Sequence, residues 1–364
     1  MSPAIGVPAA VSSGDVAPGP SRPVRVAVAG LEPAGIAHLA TLAMIPDCET
    51  VAVIDPDSRR ARDAAGLGFK APRFADVETL LAKLVPDALI ASGPPDRHLA
   101  FAGPALAAGV SVLVDPPLAH TLESAEQLAA LAQSHGARLA CGHALAYEPV
   151  FHAAREALAG GALGALMRAR CSIYRSDVFG PRQGWRFEPA RSGGGVVANL
   201  AADLLFLLDW YLEAPIEVRA TWKKLYGEVE DELHAMMRLR SGAEVGFDCS
   251  WSVPGYPRAA VVVELEGENG KLLASDDALE LDLTSERGGQ ARGHTVRRRA
   301  ELPPRARFDW DGEALYLQDA SFLAWVTGGP PPPTELRAAL RVQRVIDALY
   351  RSADQGGAPV EIAS

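Results

Sequence analysis

Gly30 and Gly35, with Asp55 beyond them, are residues whose types and spacing suggest chemistry. They follow VRVAVA, residues 24–29, where an apolar run ends in a glycine turn and a helix-like pattern begins. A pyrophosphate needs such a place, because backbone N–H groups and the positive end of a helix come within reach of its oxygens. Glu32 stands at the middle glycine position of G-x-G-x-x-G, followed by Pro33 and Ala34, and its bulk and charge oppose a phosphate there. Asp55 ends the next apolar run, where a carboxylate accepts both ribose hydroxyls of a dinucleotide and repels a 2′-phosphate. Asp55-Pro56-Asp57 also reads as an ordinary strand-ending turn. On this pattern the expected cofactor is NAD, with NADP disfavoured.

Positioning these residues requires strands and helices in alternation. VRVAVAG, ETVAVIDPD, DALIAS, VSVLVD and RLACGHA are short apolar runs, separated by stretches with helical spacing. That order specifies a doubly wound parallel sheet covered on both faces, over residues 23–146. From residue 147 to 364 the character changes. A helix around PVFHAAREALAGG, the strand-like LMRARCSIYRS, a glycine loop and the apolar helix VVANLAADLLFLLDWYL lead into a strand-rich region. IEVRATWKKLY, DELHAMMRLRS, AEVGFDCSWSV, AAVVVELEGENG and KLLASDDALELDLTS predict a large, mostly antiparallel open sheet in an α+β second domain. Two closing helices, EALYLQDASFLAWVTGG and TELRAALRVQRVIDALYRSADQGG, bracket prolines 330–333 and have the option of packing back on the first domain. The first 22 residues, rich in Pro, Ala, Ser and Gly, read as a disordered tail.

Composition narrows the partners. A formal net charge of -10 opposes a nucleic-acid backbone, and with no apolar run of membrane-spanning length no membrane is expected. The four cysteines are scattered without a C-x-x-C pair, which argues against a zinc site and for reduced thiols in the cytoplasm.

At this point the chain resembles the GFO/IDH/MocA family of glucose-fructose oxidoreductase, inositol dehydrogenase and rhizopine catabolism proteins. The carriers are VRVAVAGLEPAGIAHLATLAMIPDCETVAVIDPD, GPPDRHLAFAGPALAAGVSVLVDPPLA, CGHALAYEP, SGGGVVANLAADLLFLLDWYL, ELEGENGKLLASDDALEL and RVIDALYRSADQGGAPVEI, in the family's order. The resemblance implies a Rossmann domain that holds NAD(P) and a second domain whose sheet faces the substrate and joins subunits. It implies that GPPDRH, with Gly93, Pro94 and His98, lies beside the nicotinamide half of the cofactor, although the same residues also make a plain strand-to-helix turn capped by Asp96.

The family's reactive motifs are altered here. Its Glu-Lys-Pro reads Asp115-Pro116-Pro117, so the lysine that orients and polarises the reacting oxygen is replaced by a residue with neither charge nor N–H. None of the chain's lysines occupies an equivalent motif position. Its Asp, four residues before a catalytic His, reads Asn199, with Asp203 in place of the histidine. Proton exchange needs a group tuned near working pH, and an ordinary carboxylate is about two pKa units too acidic. A neighbour such as Asp115 would raise Asp203; as an alternative, Asp203 faces solvent or pairs with an arginine. His143 and Tyr147 lie near the cleft in the family, where a strand-end histidine or aromatic also serves as packing. Tyr174 and Arg175 follow a strand that borders the substrate pocket in relatives.

Two function classes follow. One is an NAD(P)-dependent oxidoreductase acting on a sugar, cyclitol or related intermediate through Asp203, Asn199, Asp115 and His143. The other is a catalytically silent relative that supports a partner enzyme, or a redox-neutral enzyme using the same pocket. Either is expected as a homodimer or homotetramer through the second sheet.

Overall fold

The computed structural model describes residues 22–181, 183–302 and 312–362, so nearly all of the expected tail lies outside the described residues. β1 (Val24–Ala29), α1 (Pro33–Leu42), β2 (Cys48–Ile54), α2 (Ser58–Gly66), β3 (Arg73–Phe74), α3 (Val77–Leu81), β4 (Ala88–Ala91), α4 (His98–Ala107), β5 (Ser111–Val114), α5 (Leu122–His135) and β6 (Leu139–Cys141) alternate along the first domain. The strands form a parallel sheet in the order β3-β2-β1-β4-β5-β6. Every residue of β4 and β5 is buried, because helices cover both faces. β3 has two residues, too few to show a periodicity in the sequence. This order reverses direction between β1 and β4, and the carboxyl ends of strands at such a point are where ligands bind.

Two glycines fix the start of α1. Gly30 has φ +85°, and a Cβ there would meet Ser92 O at 2.1 Å; a Cβ on Gly35 would meet Gly30 O at 1.9 Å. Neither turn nor helix packing tolerates a side chain at these two positions.

The second domain comprises α6 (Pro149–Ala159), β7 (Leu166–Tyr174), α7 (Pro189–Ser192), α8 (Ala202–Tyr211), β8 (Pro215–Lys223), β9 (Glu232–Leu239), β10 (Glu244–Ser250), β11 (Ala260–Gly267), β12 (Gly270–Ser275), β13 (Ala278–Leu283) and β14 (Gly293–Arg298). α9 (Glu313–Val326), α10 (Leu336–Asp354) and β15 (Val360–Glu361) close the chain. Nine strands pair in the order β14-β13-β12-β11-β7-β10-β9-β8-β15, antiparallel except for the parallel pair β7 and β10. KLLASDDALELDLTS, read as one run, is a hairpin of β12 and β13 that turns at Asp276 and Asp277. β14 was not expected, since GHTVRR carries polar residues at an exposed edge.

α6, α8 and α10 cover one face of this sheet and leave the other open. Pro189–Tyr211, contrary to the sequence expectation, is a helical stretch long and apolar enough to cross a bilayer, but 72% of its most apolar window is buried, which makes it a core element. The closing helices bind the halves together. Phe322 and Leu323 of α9 share a core with Val26, Val28 and Leu39, and Ala339 of α10 shares one with Val112 and Leu128.

Candidate active site

The carboxyl ends of β1, β4 and β5 face the second domain across a cleft of about 540 Å³. Glu32, Pro33, Ala34, Gly93 and Asp115 line it from the first domain, and Arg175, Asn199 and Asp203 from the second. Gly30, Gly35, Asp55, Pro94, His98, His143, Tyr147 and Tyr174 stand behind or beside this lining.

Asp203, in the first turn of α8, meets His143, which follows β6. His143 Nδ1 lies 2.9 Å from Asp203 Oδ1, and the imidazole, 1% exposed, stacks on Phe206 with centroids 4.7 Å apart. Burial works against a charge on His143, but the neighbouring Cys141 and the Asp203 carboxylate outweigh it and hold the pKa up at about 10. His143 therefore holds its proton at neutral pH. The carboxylate, 30% exposed, is the member that reaches the cleft.

Asp115 lines the same cleft as Asp203 and has partners of its own. It accepts a hydrogen bond from Ser92 Oγ at 2.6 Å, and Oδ1 lies 2.9 Å from His38 Nε2. His38 Nδ1 in turn lies 2.9 and 3.0 Å from the two oxygens of Asp319, which also accepts the Thr41 hydroxyl. Burial opposes charge on His38, yet Asp319 and Asp115 raise its pKa well above 6.5. Burial pushes the Asp115 carboxyl up, but His38 and Ser92 pull it below its ordinary value. Two carboxylates thus hold one imidazolium.

Asn199 lies in a π-helical turn, Val197–Ala201, just before α8. Its Nδ2 donates to the carbonyls of Gly194 and Gly195 at 3.0 and 2.8 Å, while Oδ1 is enclosed without a partner. An aspartate here would set a carboxylate against two carbonyl oxygens. The substitution of the family's acid by an amide therefore suits the local backbone.

Two family models match the chain. Residues 24–143 match the oxidoreductase family with an NAD-binding Rossmann fold, and residues 151–273 match the GFO/IDH/MocA C-terminal domain. The chain belongs to the GFO/IDH/MocA family. The D-apiose dehydrogenase of Paraburkholderia graminis is 26% identical over 332 residues, 88% of this chain and 84% of that protein. The inositol 2-dehydrogenase of Rubrobacter xylanophilus is 29% identical over 259 residues, covering 69% and 71%. Among solved structures, GenD2 from gentamicin A biosynthesis, in complex with NAD, is 28% identical with a TM-score of 0.78, covering 94% of this chain and 97% of that one. Levoglucosan dehydrogenase in complex with NADH, at 18% identity and a TM-score of 0.84, shares the fold over 94% of this chain and all of that one.

The other residues expected from the GFO/IDH/MocA motifs are placed as follows. Asp55 is 1% exposed and accepts the N–H groups of Leu31 and Asp57 at 2.9 and 2.8 Å. His98 is fully buried, with its ring nitrogens 3.1 Å from the carbonyls of Gly93 and Pro117, one of which accepts the single N–H of the neutral ring. Burial is the main cause of its lowered pKa, which favours the neutral ring. Tyr147 has an enclosed hydroxyl, and burial pushes its pKa up to about 12. Tyr174 packs on Tyr256, and the Arg175 guanidinium lies 2.9 Å from Asp177. Sequence reasoning missed His38, Ser92, Asp319, Arg60, Trp185 and Arg186. His38, three residues after Gly35 in an apolar helix, gave the one available signal.

Proposed function

We propose that this GFO/IDH/MocA protein interconverts a hydroxyl and a carbonyl on a polyhydroxylated small molecule, such as a sugar, a cyclitol or a related biosynthetic intermediate, with Asp203 exchanging the hydroxyl proton. The observation that carries the reading is the cleft-facing Asp203 carboxylate with the His143 imidazole 2.9 Å behind it. Gly30 and Gly35 permit the tight turn that brings the N-terminus of α1 close to the strand ends, an arrangement that suits NAD. NAD, when bound, exchanges hydride with the substrate carbon. In the oxidative direction Asp203 accepts the hydroxyl proton, and in the reductive direction it returns it. His143 fixes the orientation of the Asp203 side chain. Asn199 and Arg175 border the same space from the second domain.

Asp203→Asn tests this directly. Turnover of a polyol or keto-sugar falls about 100-fold to 10,000-fold, while calorimetry finds NADH binding nearly unchanged. Turnover that survives the substitution removes Asp203 from the mechanism. Pro116, which supplies no cation beside the reacting carbon, favours a second reading: a silent relative that supports a partner enzyme. A native protein that binds NAD firmly and turns over no polyol or keto-sugar supports that alternative.

The open face of the second sheet is where we place a homodimer or homotetramer contact. Met236, 47% exposed, stands there beside Leu273 in a hollow rimmed by Arg168 and Glu266. Light scattering that reports a monomer at micromolar concentration rejects it. Four unpaired cysteines are consistent with a reducing cytoplasm.

A further inference from the structure

Glu32, the acid that interrupts the glycine turn, has no part in the reaction proposed above. It is the N-cap of α1, yet its side chain makes no capping bond to that helix. Both oxygens are engaged elsewhere. Oε1 lies 2.8 Å from Arg60 Nη2 of α2, and Oε2 accepts the indole N–H of Trp185. Trp185 comes from the second domain, in the 3-10 turn Trp185–Phe187. Phe187 of that turn packs on Trp251, with centroids 5.2 Å apart, and the Trp251 indole donates to the buried Asp231 at 2.8 Å. The turn is thus fastened to the second sheet at one end and to the glycine turn at the other. Between those anchors Arg186 lines the cleft, surrounded by Arg175, Asp177, Glu32 and Asp115.

We infer that Glu32 is a positioning residue, a clasp that seats the second domain's Trp185 and Arg186 against the dinucleotide turn. The inference rests on the dinucleotide-binding reading of the first domain and explains how an acid is tolerated there. The carboxylate is directed into a guanidinium and an indole, and 11% of its side chain is exposed. Arg60 balances its charge, and Arg175 and Arg186 offset Asp177 and Asp115 nearby, so Glu32 does not stand as an uncompensated acid beside the phosphates of a dinucleotide. A merely obstructive acid predicts the opposite behaviour, since its removal would tighten binding.

The test uses the full chain as Glu32→Gly, Glu32→Gln, Trp185→Phe and the Glu32→Gly/Trp185→Phe double variant. Two quantities are measured: NADH affinity by calorimetry, and backbone amide exchange over residues 184–187 without NADH. Glu32→Gly and Trp185→Phe each speed exchange there and weaken NADH about tenfold, the scale of one hydrogen bond to a charged group. The double variant is no weaker than the weaker single one, because all three break the same contact. Glu32→Gln, which keeps an oxygen for the indole, stays within about threefold of wild type. Tighter NADH binding by Glu32→Gly, or exchange equal to wild type, overturns the clasp. If Glu32→Gly does not fold, Trp185→Phe decides on the same criteria. Wild-type protein that binds no NADH sinks the dinucleotide reading instead, and the exchange measurement still decides whether Glu32 seats the turn.

Discussion

His38 and His143 are both buried imidazoles set against an acid that lines the same cleft, yet they are built for different ends. His38 is enclosed between Asp115 and Asp319, with Ser92 and Thr41 satisfying the acids further. His143 has one carboxylate partner, reached across the domain boundary, and that partner is open to the cleft. A cation shared between the buried Asp319 and the mostly enclosed Asp115 is a structural charge that resists change. A cation behind one accessible carboxylate leaves that carboxylate free to meet a substrate. The difference teaches that an acid's position in the cleft does not define its role; what stands behind it does.

The largest expected effect separates the two by stability. His38→Ala leaves Asp115 and Asp319 facing one another without their cation, which costs about 3–5 kcal/mol in urea unfolding. His143→Ala leaves Asp203 partly solvated and costs about 1–3 kcal/mol. Equal losses would erase the distinction.

A smaller effect is read through pH. Both histidines have folded pKa values above the unfolded 6.5, His143 at about 10 and His38 well above its ordinary value. The native state then binds more protons than the unfolded chain above about pH 6.5, so these contributions are complete below that pH and are lost as pH rises through the folded values. Unfolding free energy declines between about pH 7 and 9, by about 1.4 kcal/mol per pH unit for each retained proton. His143→Gln flattens the decline by one proton's share and leaves the His38 share in place. A wild-type curve that is level or rising across that window contradicts the charged state of both.

How much of this was legible depends on distance along the chain. Gly30 and Gly35 were readable because the steric demand acts between neighbours in one turn. The strand ends that carry Asp55, Gly93 and Asp115 followed from the alternation of apolar runs, whereas Asn199 and Asp203 were marked only by the resemblance to the family's helix motif. His38 and Asp319 stand 281 residues apart, and Trp185 and Glu32 stand 153 apart. Nothing local marks such pairs. Asp319, in the apolar YLQDASFLAW, gives no sign that it is buried, and Glu32 reads as an obstruction until Arg60 and Trp185 are seen beside it. A long-range ion pair leaves no periodicity, and the alternation that defines strands does not report which polar residue faces another.

The closing helices set an order of events. Phe322 and Leu323 complete the core around Val26 and Val28, and the Cys141 N–H at the edge of the parallel sheet donates to Thr334 O at 3.0 Å. These partners lie beyond β14 in the chain. The strands of the first domain leave the ribosome long before the side chains that finish their packing, so its core is sealed only after β7 to β14 have been made, a delay that pulse labelling of ribosome-bound chains would register. A domain made before the second sheet is thus completed only after most of that sheet exists.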